Sequence, residues 1–342
     1  MRTLLLCLAT LTCAAVDISI DDPGIRRIGF FTADGRCAWT GCGFEAGFTG
    51  TSVTVRIQGN KAWYAASVDG GEPVAFELRK GQTEYPVAEG LAAGEHRIAL
   101  FKRTEGHSGI EKPLGLRLDD GAKAYAIPAP ERRLTIMGDS ITCGYGNEAA
   151  KPEEGFTLPQ ENGWETYWAI AARNLKADIR CIAFSGKGIW RNRGKNDSFQ
   201  DTMPVLWHRA LPFDPSSTID HATFVPDVHI VNLGTNDIAI DEPPRDPFVA
   251  AVLAHIADVR TTAPKAQIIF CLGPMLNQKQ KDLFKGHYQA VIDQSKDPTI
   301  HLLDLGGQKF PEGVGGHWHP SVVTHREMAV KLEAKLKEIT GW

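Results

Sequence analysis

The sequence predicts an α/β protein in which a β-sandwich of jelly-roll type precedes a three-layer, flavodoxin-like domain built on a parallel sheet. Three observations lead there. From about Asp17 to Tyr125, short alternating runs are broken by Gly and Asp, and no helical period is sustained. Beyond them, continuous apolar runs alternate with amphipathic stretches, the pattern of a parallel sheet covered on both faces. Between the two lies Ala126–Pro130 (AIPAP), a stiff segment that suits neither interior. The expected division is residues 1–15, 16–125, a linker at 126–131, and 132–342.

Taken in order, the first element is a leader. Met1-Arg2 supplies a positive start, Leu4 to Leu11 an apolar run too short to anchor in a bilayer, and Cys13-Ala14-Ala15 small residues. This reads as a signal peptide cleaved near Ala15, hence a secreted or periplasmic protein. Strands are expected at Ser52–Gly59, Trp63–Gly71, Phe76–Gly81 and His96–Arg103, and a hairpin over Leu114–Tyr125 turning at Asp119-Asp120-Gly121. The second part should hold strands at Leu134–Met137, Ile179–Phe184, Val228–Leu233, Ile268–Leu272 and Ile300–Leu305. Its helices are expected at Trp164–Leu175, Pro247–Thr261, Lys281–Gln294 and Ser321–Ile339. Right-handed crossovers then place the functional loops at the carboxyl ends of the strands.

The composition narrows the function classes. Net charge is −4 with no Lys/Arg run, so nothing argues for a nucleic-acid or membrane partner. Two of the seven cysteines leave with the leader, and the odd remainder excludes a fully paired disulfide scaffold. Cys181 and Cys271 sit in apolar runs as small core residues, while Cys37 and Cys42 are near enough in sequence to close a loop. No C-x-x-C pair exists, no cofactor is implied, and a zinc cluster of His317, His319 and His325 is disfavoured by the proline that follows His319. Gly144-x-Gly146-x-x-Ala149 mimics a dinucleotide fingerprint, but the Lys-Pro-Glu-Glu-Gly that follows cannot open the helix it needs.

The chemistry is concentrated in four short blocks. Gly138-Asp139-Ser140-Ile141 follows the first apolar strand, Phe184-Ser185-Gly186-Lys187-Gly188 the second, and Gly234-Thr235-Asn236-Asp237 the third. Gly316-His317-Trp318-His319-Pro320 precedes the last helix. A serine hydroxyl needs a base to become a nucleophile, and ester attack builds negative charge that prepositioned donors stabilise. Taken singly, each block reads as ordinary structure: a cap, a turn glycine or an Asx turn. Four in register point to a site.

Together, from Arg133 to Ala329, these blocks resemble those of the SGNH (GDSL-type) hydrolases. The resemblance implies Ser140 as nucleophile, His319 as general base, and an oxyanion hole from the Ser140 N–H or its neighbour, Gly186 and Asn236. One departure concerns the base. Relatives often carry an acid two or three positions before it, where this chain has Gly316 and His317. A backbone carbonyl, Asp304 or Glu312 is left to orient the ring. With a jelly-roll module in front, and GDSITCGYG, SGKG, GTND and WHP in order, the whole is similar to carbohydrate esterase family 2. That implies removal of acetyl groups from polysaccharides such as xylan and mannan through an acyl-enzyme. Trp318, Trp190 and Tyr145 are then candidates for stacking on a sugar ring. Two other readings stay open: a carbohydrate-binding protein with a degenerate hydrolase domain, and a lipid or peptidoglycan deacylase.

Overall fold

The computed structural model describes residues 15–194 and 199–342; the expected signal peptide, apart from Ala15, lies outside the described residues. The first part is all β: β1 (Val16–Ser19), β2 (Ile25–Ile28), β3 (Gly43–Gly50), β4 (Val53–Gln58) and β5 (Trp63–Val68). It continues with β6 (Val74–Glu77), β7 (Glu84–Ala88), β8 (Gly94–Lys102), β9 (Lys112–Leu118) and β10 (Ala124–Tyr125). These strands form two antiparallel sheets, ordered β1-β9-β4-β7 and β10-β3-β8-β5-β6, with β2 also pairing β3. Their inner faces share a core that includes Phe44, Phe48, Val55, Tyr64, Leu100 and Leu116, as alternation along half-buried strands requires.

The expected hairpin at Leu114–Tyr125 does not form. β9 pairs with β1 and β4 in one sheet, whereas β10 pairs with β3 in the other. The turn is a corner between sheets because the Asp119 carboxylate is spent on the β3–β4 turn. It accepts from Thr51 Oγ1 at 2.8 Å and the Ser52 N–H at 3.1 Å. β3 (GFEAGFTG) escaped the sequence pattern because its glycines weaken a strand signal. The fold demands one at Gly47, where a Cβ would lie 2.2 Å from the Tyr125 ring.

The second part follows the expected pattern closely. Its strands are β11 (Arg132–Gly138), β12 (Ala177–Ala183), β13 (Val228–Asn232), β14 (Gln267–Leu272) and β15 (Ile300–Asp304). All pairings are parallel, in the order β12-β11-β13-β14-β15. The helices are α1 (Ser140–Cys143), α2 (Tyr167–Leu175), α3 (Met203–Leu206), α4 (Arg245–Thr262), α5 (Gln278–Ser295) and α6 (Val322–Thr340). Successive strand residues face opposite cores: Met137, Val231 and Phe270 meet Phe248 of α4 and Phe284 of α5, while Ile136, Ile230 and Ile269 meet Trp168 of α2 and Met328 of α6. Among the described residues, no helix is long and apolar enough to cross a membrane.

The two parts are packed together rather than merely tethered. Trp39, fully buried, joins the core under α4 and donates its indole N–H to Arg209 O at 2.8 Å. Phe101 of β8 packs against Trp164 and Trp168. All five described cysteines are buried free thiols, including Cys37 and Cys42, so the small loop is not closed by a bridge here.

Candidate active site

The site is built at the carboxyl edge of the parallel sheet. β11 ends at Gly138, where a Cβ would collide with Thr142 Oγ1 at 2.0 Å. Asp139 then caps α1, accepting the Ile141 N–H at 3.0 Å, and this leaves Ser140 as the first residue of a four-residue helix. Burial pushes the Asp139 carboxyl up to about 7, against the opposing pull of the Ile141 N–H.

His319 comes from 179 residues further along the chain, and its loop is tied by main-chain bonds to the serine loop. Gly316 N donates to Gly146 O at 2.8 Å, and Val322 N to Asn147 O at 3.1 Å. The two residues before His319, His317 and Trp318, both have positive φ, 49° and 63°. A left-handed pair of non-glycine residues is costly and survives only where the surroundings dictate it. The result is a Ser140 Oγ to His319 Nε2 distance of 2.8 Å.

The other ring nitrogen, Nδ1, meets the His317 carbonyl at 3.2 Å. A carbonyl only accepts, so Nδ1 carries the proton and Nε2 presents its lone pair to the serine. The two carboxylates considered from sequence lie elsewhere: Asp304 pairs with Lys281 Nζ at 2.5 Å, and Glu312 is exposed. Burial lowers His319 to about 4, opposed by its hydrogen bonds to the His317 and Gly316 main chain. His317 and His325 are engaged separately, His317 Nδ1 with Tyr145 OH at 2.8 Å and His325 Nδ1 with the Tyr167 N–H at 3.3 Å.

The loop after β12 starts beside the serine block, because β12 pairs with β11 and the Phe184 N–H donates to Gly138 O at 3.1 Å. Gly186 has φ +80°, and a Cβ there would meet nothing within 4 Å. The backbone conformation therefore demands glycine, and protein packing does not. Among the described residues, no acceptor is found for the N–H groups of Ser140 or Gly186. Unpaired donors of this kind suit a developing oxyanion. The Asn236 amide is nearby but occupied, donating to Lys187 O at 2.8 Å and Asp139 Oδ2 at 3.2 Å. The longer of these bonds is the one an oxyanion would compete for. Ser140, His319 and Asn236 are all buried, whereas Gly186 is half-buried.

The three aromatic candidates differ. Trp318 is 54% exposed and stacks on Phe310, itself 68% exposed, with centroids 6.1 Å apart. Tyr145 is held between Phe156 at 4.0 Å and His319 at 4.5 Å, so its faces are already covered by rings. Trp190 packs on the core under α4, with the Arg191 guanidinium 4.8 Å from its ring centroid. A cavity of about 750 Å³ between the antiparallel part and α2, lined by Arg26, Trp164 and Arg173 among others, reaches neither Ser140 nor His319.

Three buried acids beside the site are given no role by the sequence. In the sequence Asp237 is only the last residue of its block. Its buried carboxylate accepts the N–H groups of Ile189, Trp190 and Arg191 at 3.2, 2.8 and 3.1 Å and so fixes the loop beyond Gly186. Glu105 and Glu161, both fully buried, carried no motif at all. With Cys143 they are, among the described residues, the one trio of ligand-type side chains within 4.8 Å of one another. Burial raises Glu161 well above the usual carboxylate range, and the charge of Glu105 adds to it.

Comparison with known proteins identifies both parts of the chain. Residues 27–128 match the family described as Carbohydrate esterase 2 N-terminal, and residues 136–327 match the GDSL-like Lipase/Acylhydrolase family. The chain is 37% identical to the cellulase/esterase CelE of Acetivibrio thermocellus over 94% of its own length, though it spans only 40% of that relative. It is 28% identical to an acetylxylan esterase/glucomannan deacetylase of Cellvibrio japonicus, covering 89% of this chain and 86% of that one. The structure of a family two carbohydrate esterase from Clostridium thermocellum in complex with cellohexaose superposes with a TM-score of 0.87 at 36% identity, over 93% of this chain and all of that one. Both parts are matched, in the same order and over nearly the full length, and the chain belongs to carbohydrate esterase family 2.

Proposed function

We propose that the protein is an exported serine esterase that removes O-acetyl groups from plant-type polysaccharides such as acetylated xylan or mannan. The observation that carries this reading is the 2.8 Å contact between Ser140 Oγ and a His319 Nε2 whose lone pair faces it. Ser140 Oγ attacks the acetyl carbonyl while Nε2 takes its proton. The tetrahedral oxyanion is held by the Ser140 and Gly186 N–H groups, with Asn236 as a third donor. Collapse expels the sugar alkoxide, which receives the proton from His319 and leaves acetyl-Ser140. Water, deprotonated by His319, then attacks the acetyl carbonyl, releases acetate and restores the serine.

Family membership and the activities named for relatives support the acetyl ester as substrate. Trp318, exposed beside the base with Phe310, supplies the flat surface for a sugar ring. The same reading keeps residues 1–15 as an export signal and 126–131 as the linker.

Acetate release from a panel of acetylated polysaccharides, by the wild type and Ser140→Ala, tests the proposal. Release by the wild type and its loss in Ser140→Ala is expected. Polysaccharide binding without release by either would favour the carbohydrate-binding alternative, and activity confined to long acyl chains would favour the lipid deacylase.

A further inference from the structure

We infer that Glu105, carried by the antiparallel part, is a positioning residue for the oxyanion loop of the parallel part. The inference rests on the esterase reading above and adds to it a residue outside the four blocks.

Glu105 lies just beyond β8, on the turn that leads into the 3-10 helix Gly106–Ser108, and none of it is exposed. Both of its carboxylate oxygens are aimed at one residue across the boundary between the two parts. Oε2 accepts the Ser185 N–H at 2.7 Å, and Oε1 accepts the Ser185 hydroxyl at 2.5 Å. His107 adds an ion pair to Oε1 at 3.2 Å. Burial works to raise the Glu105 pKa, but His107 and the Ser185 donors outweigh it and keep the group ionised. A buried carboxylate is expensive unless its hydrogen bonds are made, so this grip is strongly directional.

The gripped residue is the immediate neighbour of Gly186. On the far side of Gly186, Asp237 holds the N–H groups of Ile189 to Arg191. The oxyanion glycine is thus suspended between two buried carboxylates, one from each part of the chain. Gly186 has no side chain, an N–H without an acceptor among the described residues, and open space where a Cβ would be. Its carbonyl accepts the Arg193 N–H at 2.9 Å, so what the Ser185 flank sets is the Ser185–Gly186 peptide that carries the free N–H. Oxyanion donors act only when held in place before the charge develops. The antiparallel part thereby completes the preorganisation of the site.

The test uses the full chain and four proteins besides the wild type: Glu105→Gln, Ser185→Ala, their combination, and Ser140→Ala. Steady-state hydrolysis of an aryl acetate, melting temperature, and affinity for a small alkylboronic acid that forms a tetrahedral adduct on the serine are measured for each. We expect Glu105→Gln to lower kcat by about 10- to 100-fold with KM within about twofold, and boronate affinity to fall in step with kcat/KM. Ser185→Ala, which removes the hydroxyl bond and keeps the main-chain one, should lower kcat by about tenfold, and the double variant should be no worse than Glu105→Gln within about threefold, since both changes act on the same Glu105–Ser185 linkage. A kcat for Glu105→Gln within twofold of wild type, or losses that multiply in the double variant, would overturn the inference. So would a loss that only tracks the folded fraction. Should Glu105→Gln fail to fold, Ser185→Ala decides, and an unchanged kcat there sinks the idea. A wild type without esterase activity, or an active Ser140→Ala, would instead bring down the functional reading together with this one.

Discussion

His319 Nδ1 donates to the carbonyl of His317, two residues before it in the chain, while Nε2 stands 2.8 Å from Ser140 Oγ. The base is therefore oriented by its own main chain. A carbonyl fixes the tautomer as well as a carboxylate does, but carries no full charge to stabilise an imidazolium.

The first prediction follows from that absence. Burial lowers His319 to about 4, so the neutral, base-competent ring persists well below the usual histidine value of about 6.5. A ring supported by a carboxylate would place the acid limb of kcat/KM at about pH 6 to 7. Here the limb is expected nearer pH 4. Acetate release in brief assays from pH 3.5 to 8, with recovery at pH 7 as a check on folding, locates it.

Asn236 gives the second. Its amide donates to Lys187 O and Asp139 Oδ2 in the resting site. Removing one oxyanion donor typically costs about 3 kcal/mol of transition-state stabilisation, or about a hundredfold in kcat. Asn236→Ala should show that fall in kcat with KM changed little. A rise in KM alone would mean that Asn236 holds substrate and not the oxyanion.

The third concerns stability and pH. His255 is fully buried, with Nε2 3.0 Å from His229 Nε2. Burial, with smaller contributions from His208 and His221, lowers it to about 3. The unfolded chain takes up this proton below about pH 6.5 and the folded one does not, so stability is lost as pH falls from there toward 3, by at most about 1.4 kcal/mol per pH unit. Replacing the imidazole removes that linkage. Urea unfolding should show His255→Gln gaining on the wild type between pH 6.5 and 4, and parallel curves would refute the linkage.

The fourth concerns Lys102 and Glu111, an ion pair at 2.6 Å with neither side chain exposed. Burial raises Glu111 even against the attraction of Lys102. Lys102→Met alone leaves a buried acid without its partner and should cost about 3–5 kcal/mol. Lys102→Met with Glu111→Leu should recover most of that loss in chemical denaturation. If the double replacement is as unstable as the single, the pair matters through packing and not charge.

Much of this site was legible in the chain, for a local reason. An apolar run followed by a small or polar block marks a strand end, and all four blocks stand at strand or helix ends where they were expected. The parallel strands could be placed within one or two residues because the central three are buried on both faces and the two edge strands still read as short apolar runs. The antiparallel part was less legible. β3 is glycine-rich, β7 contains Pro86, and the Asp119 turn looks like a hairpin until its partner at Thr51–Ser52 is known.

The sequence by itself determined the fold class, the order of the two parts and the residue types that meet at the sheet edge, because periodicity and strand-end chemistry are properties of neighbours in the chain. Only the tertiary structure decided which acceptor orients His319, that Tyr145 packs against the base with both faces covered, and that Glu105 reaches Ser185 from 80 residues away. Each of these is a contact between distant segments, and its strength depends on burial that the chain acquires only on folding.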